Sequence, residues 1–66
     1  MKLVLESTGE ELKIGQSVTT FRGETMALES FREPHKEGSS GRVYCRRLGD
    51  KYANEYFPSV IGARFI

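Results

Sequence analysis

The residue types that could do chemistry in this chain are few and scattered. His35 is the only histidine and Cys45 the only cysteine. A zinc site built on them needs two more good ligands, and only carboxylates are left to supply them, so no metal site is expected. A Cys–His pair has the residue types of a nucleophile and its base. Cys45, however, shares a strand face with Val43, which predicts a buried, inert thiol. Glu10 and Glu11 are adjacent and point to opposite faces if extended, so they do not converge as a general acid and base. Gly38-Ser39-Ser40-Gly41 lacks the Lys-Ser/Thr ending of a phosphate loop and reads as a flexible surface loop. No catalytic residue and no cofactor is expected, and the chain is not read as an enzyme.

One constellation survives. In 42–46, Arg-Val-Tyr-Cys-Arg alternates, which puts Arg42, Tyr44 and Arg46 on one side of a strand and Val43 and Cys45 on the other. The preceding loop adds Arg32, His35 and Lys36, and Arg22 in the Phe21-Arg22-Gly23 turn could lie nearby. Aromatic rings stack on bases and cations neutralise phosphates, so such a face suits nucleic acid. Arg and Tyr are equally the residues of protein interface hot spots. Residues 1–33 hold four cations against six acids, and 34–66 hold six against three, so any basic patch belongs to the second half. The net charge of +1 argues against strong nonspecific affinity for nucleic acid. The reading is an interaction module that takes a protein partner or a second copy of itself, with nucleic acid as the alternative.

The elements that would position this face are short. Residues 2–5 read as an apolar strand, 6–11 as a polar turn, and Leu12 and Ile14 around Lys13 as another short strand. Val18-Thr19-Thr20-Phe21 is a run of strand formers, closed by a tight turn at Arg22-Gly23-Glu24. Residues 25–31 contain good helix formers, but lie between two strand-like runs and are read as a strand. Met26 and Leu28 would face one side, and Ala27, Glu29 and Phe31 the other. Residues 32–41 are the longest irregular stretch, an exposed loop. Residues 52–57 are a strand ended by Pro58, 59–62 a short helical turn, and 63–66 a closing strand. The expected core is Leu3, Leu5, Leu12, Ile14, Val18, Met26, Leu28, Val43, Cys45, Phe57, Val60, Ala63 and Phe65.

Five or six short antiparallel strands with one helical turn near 58–62 predict an all-β single domain over 1–66, closed into a small barrel. Side chains fill the interior of so small a barrel, so no buried small-molecule substrate is expected. A single cysteine excludes an intrachain disulfide and points to a reducing cytoplasm. No run approaches the roughly 20 apolar residues that span a bilayer, and the apolar start at 3–5 is too short for a signal peptide, so no membrane partner is expected.

Two stretches carry a resemblance. Residues 14–23, Ile-Gly-Gln-Ser-Val-Thr-Thr-Phe-Arg-Gly, resemble the opening of KOW and related SH3-like barrels. There a Gly enters a turn, a β-branched strand follows, and a second Gly turns the chain back. Residues 56–61, Tyr-Phe-Pro-Ser-Val-Ile, are similar to the end of SH3 domains. The whole chain also resembles small proteins encoded by tailed phages, in Phe21-Arg22-Gly23-Glu24, Gly41-Arg42-Val43-Tyr44 and Tyr56-Phe57-Pro58-Ser59-Val60. The resemblance implies an SH3-like barrel but carries no function over from the phage group; a phage-type version of the interaction module would bind and modulate a host protein, or bind itself. The lack of any Trp departs from SH3 domains that bind proline-rich peptides.

Overall fold

Residues Met1–Ile66 are described by a computed structural model. Alternation and β-branching put the chain into six antiparallel strands: β1 (Leu3–Leu5), β2 (Ser17–Thr19), β3 (Thr25–Arg32), β4 (Arg42–Arg46), β5 (Asn54–Tyr56) and β6 (Ala63–Phe65). The only helical element is a 3-10 turn at Pro58–Ile61. The strands divide into a meander β2-β3-β4-β5 and a two-stranded sheet β1-β6. The all-β expectation and the helical turn are met. No hydrogen-bonded ladder joins the two sheets into a closed barrel.

The core lies between the sheets. Leu3 and Ala63 come from one, and Val18, Met26, Leu28, Val43 and Cys45 from the inner face of the other, with Leu12 and Ile61 filling the ends. Leu5, Phe31, Tyr56 and Phe65 pack against this cluster while half-exposed. Five residues of the expected core, Leu5, Ile14, Phe57, Val60 and Phe65, end up exposed or only partly inside. Ile14 sits on a turn closed by the Gln16 N–H donating to the Lys13 carbonyl, and is 57% exposed. The strand expected at Leu12 and Ile14 reduces to a single bridge between Glu11 and Val4. Phe57 is 53% exposed because Tyr56 stands opposite Val43 and so takes the inward side, which turns its neighbour out. Val60 is half-buried, and Ile61 takes the inner position that Val60 was expected to hold. In a 3-10 turn residues three apart share a face, so Ile61 goes in with Pro58. Val4, which strict alternation would turn outward, is also buried.

The most consequential departure is in β3. The register runs Leu28 opposite Cys45 and then Ser30 opposite Tyr44, so the ladder skips Glu29. This β-bulge shifts the phase of everything after it. Phe31 pairs with Val43 and turns inward, where its ring meets Phe65 edge-on with centroids 5.8 Å apart. Strict alternation had put Phe31 with Ala27 and Glu29 on the outer side. The bulge reverses that, and it delivers Arg32 to the outer face opposite Arg42.

Candidate interaction face

The outer face of the meander is organised by register. Val43 and Cys45 are fully buried, which fixes Arg42, Tyr44 and Arg46 outward, as expected from the alternation. Glu55 of β5 stands opposite Tyr44, and Ser30 and Arg32 of β3 stand opposite Tyr44 and Arg42. Two arginines facing each other across strands repel. Here each guanidinium turns to a different neighbour. Arg42 lies over the Phe57 ring, 4.2 Å from its centroid, and donates from Nη1 to the Gly41 carbonyl at 2.7 Å. Arg32 lies 6.0 Å from the Tyr44 ring centroid.

Acids answer most of the outer cations. Arg46 Nε is 2.6 Å from Glu29 Oε2, the residue extruded by the bulge. The Tyr44 hydroxyl donates to Glu55 Oε2 at 2.8 Å, and Arg42 Nε stands 4.0 Å from Glu55 Oε1. The hydrogen bond to Glu55 holds the Tyr44 phenol above its ordinary pKa; partial desolvation adds to this, and Arg32 and Arg42 oppose it. All these groups are partly exposed, so the pairs orient side chains more than they stabilise the fold.

Four of the seven residues singled out from the sequence meet in one place. Arg32, His35, Lys36 and Arg42 line a shallow depression of about 290 Å3 together with Glu33, Ser39, Gly41 and Glu55. Glu33 also approaches the N-terminal amine at 3.8 Å. Arg46 lies at the other end of β4, beside a separate hollow that includes Arg47 and Leu48. Arg22 does not join the face: it lines a third depression, with Thr20, Phe21, Glu24, Tyr56 and Val60. The sequence reading missed Glu29, Glu55 and Phe57 as members of the site. A bulge places the first, and the pairing of β4 with β5 places the other two; neither has a local sequence signal.

His35 lies exposed in this depression, whereas Cys45 is enclosed in the core, so the two are held apart. Burial pushes the Cys45 thiol up to about 11, the opposite of what a nucleophile needs. No group of three or more His, Cys, Asp or Glu side chains is gathered around a common point. A thiol reagent at neutral pH is expected to label native protein far more slowly than denatured protein. A pH effect follows as well. The neutral buried thiol stabilises the fold fully below its ordinary value of 9.0, and this contribution is lost as pH rises through about 11. Cys45→Ala should therefore flatten the alkaline fall in urea midpoint. An unchanged fall would assign it to other groups such as Tyr44.

Fold and face together define a small antiparallel β protein with a mixed-charge, aromatic outer sheet face. No protein-family model, curated protein or solved structure matches the chain. No helix is long and apolar enough to cross a membrane.

Proposed function

We propose that this chain is a non-catalytic interaction module that binds a protein partner through the outer face of the β2-β3-β4-β5 sheet. The partner is a host protein, if the likeness to phage proteins and SH3-like barrels reflects kinship, or a second copy of the chain. The observation that carries the reading is that Glu29 and Glu55 already answer Arg46, Arg42 and Tyr44. A polyanion would have to displace both carboxylates, whereas a protein surface of mixed charge can exchange pairs with them. Tyr44 and Phe57, flanked by arginine, have the composition of interface anchors.

Nucleic acid remains a second reading on one observation. Arg32 and Lys36 share the depression with His35 and Arg42, and neither engages a carboxylate. One experiment separates the two. The wild-type chain and a variant carrying Arg42→Ala, Tyr44→Ala and Arg46→Ala are immobilised side by side, with circular dichroism as the check on folding. The proposal expects specific proteins retained by wild type alone, with Tyr44→Ala by itself losing on the order of 1–3 kcal/mol of affinity. Binding of oligonucleotides whose affinity falls steeply with salt would favour the second reading. Identical retention by both chains would remove the face from the function.

A further inference from the structure

Phe21 is 76% exposed. It does not hang from a loose loop. The turn that carries it is built around Thr20, whose side chain is buried. Thr20 Oγ1 accepts from the backbone N–H groups of Arg22 and Glu24, at 3.2 Å each. The Thr20 N–H donates to the Glu24 carbonyl at 2.8 Å, and the Gly23 N–H to the Thr20 carbonyl at 2.9 Å. The Phe21 N–H itself donates to the Val60 carbonyl at 3.1 Å, which ties the turn to the 3-10 element. An aromatic ring is therefore presented to solvent on a mount fixed at both sides. Such pre-ordering lowers the entropy lost when something binds.

Beside the ring lies the depression lined by the apolar groups of Phe21, Tyr56 and Val60 together with Thr20 and the charged Arg22 and Glu24. Its volume is about 220 Å3. Pockets for small-molecule ligands run to roughly 300–1,000 Å3, so this one suits a single side chain and not a whole ligand. The two charges are unequal in availability. Glu24 is taken up by Arg47, whose Nη1 is 3.1 Å from Glu24 Oε2. Arg22 forms no ion pair and rests 5.6 Å from the centroid of the Phe21 ring. The free charge of the depression is thus positive, among apolar groups. A nucleic-acid strand would meet a single free cation here.

We propose that this depression is an anchor site for a segment of a partner protein that seats one apolar side chain between Phe21 and Val60. The segment carries a neighbouring Asp or Glu, which pairs with Arg22. The site shares no lining residue with the depression of Arg32, His35, Lys36 and Arg42, so it stands or falls independently of the outer face.

The test is selection of a displayed random heptapeptide library on the native chain, with the Phe21→Ser chain as counter-selection. Enriched peptides are then synthesised and mapped by their effects on backbone amide resonances. The expected peptides carry an apolar residue within two positions of an acid and shift the amides of 20–24, 56 and 60. Phe21→Ala should weaken them at least tenfold while keeping native amide dispersion, and Tyr44→Ala should leave them unchanged. Arg22→Glu should switch the selected neighbour from acidic to basic, a readout that holds even if Phe21→Ala disturbs folding. The proposal is overturned by no enrichment over the Phe21→Ser chain, by shifts confined to other residues, or by enriched peptides indifferent to Arg22→Glu. Two further results would also overturn it. One is an oligothymidine strand binding these amides more tightly than any peptide. The other is a Phe21-dependent dimer in sedimentation, which would make a second copy the occupant.

Discussion

Replacing Gly41 with valine is expected to remove about 2–5 kcal/mol of stability, a large share of what so small a chain has, while Gly38→Ala loses only the backbone part. Both glycines have positive φ, 76° and 85°, but their surroundings differ. A β-carbon at Gly41 would lie 2.6 Å from Phe65 Cε2 and 2.7 Å from the Arg32 carbonyl oxygen; one at Gly38 would meet nothing within 4 Å. Neither obstacle at Gly41 can easily move. Arg32 is held in the β3–β4 ladder, and the Phe65 ring packs edge-on against Phe31. The left-handed backbone costs a side chain about 1–2 kcal/mol. Forcing extra carbon into packed surroundings costs a further ~1–3 kcal/mol. A chain of 66 residues has a total stability of only about 3–10 kcal/mol. Gly38→Ala carries the backbone term alone. Urea midpoints check the comparison, with Gly41→Ala as the milder member of the series. Equal midpoints for Gly41→Ala and Gly38→Ala would mean that Phe65 does not press on residue 41.

The second large effect concerns single-residue deletions in β3. Deleting Glu29 should leave a folded protein, and deleting Ala27, only two positions away, should not. With Glu29 removed the strand reads Met26 in, Ala27 out, Leu28 in, Ser30 out, Phe31 in and Arg32 out, which is the present arrangement without its bulge. The loss is the exposed pair with Arg46, worth at most about 1 kcal/mol. With Ala27 removed, Met26 and Leu28 become neighbours and cannot both face the core. If Met26 keeps its pairing with Val18, Leu28 turns outward and Glu29 takes its fully buried place. Emptying a leucine site costs ~2–5 kcal/mol. Burying an unpaired carboxylate costs several more, again by order of magnitude. Far-UV circular dichroism and amide dispersion read the outcome. A deletion of Glu29 that unfolds the chain would show that the bend made by the bulge, not just its phase shift, is required for packing.

The same bulge marks where sequence reasoning stopped on the candidate site. Arg42, Tyr44 and Arg46 were legible, because Val43 and Cys45 between them are the buriable pair and two arginines are too costly to bury. The side of Phe31 and Arg32 was not legible. Period two carried on from Met26 and Leu28 gives the wrong phase for both, and no residue type in β3 announces the extra position. Phe57 was misplaced for a related reason. It is more apolar than Tyr56, but the pairing of β5 with β4 puts Tyr56 opposite Val43 and leaves Phe57 under Arg42.

By itself the sequence determined the local terms: strand-forming runs, the Gly and Pro positions that end them, one thiol hidden beside a valine, and the alternation that turns Arg42, Tyr44 and Arg46 outward. These follow from backbone sterics and from the cost of burying charge, which act within a few neighbouring residues. Only the tertiary structure decided which strands pair and in what register. From that came the division into two sheets without a closing ladder, the exchange of Val60 for Ile61 in the core, and the separation of Arg22 from the other cations. It also decided which acids answer which arginines, and that Phe21 stands exposed beside Tyr56 and Val60. Those outcomes depend on contacts between residues far apart in the chain, where a single bulge or a shift of one position reverses the side on which every later residue emerges.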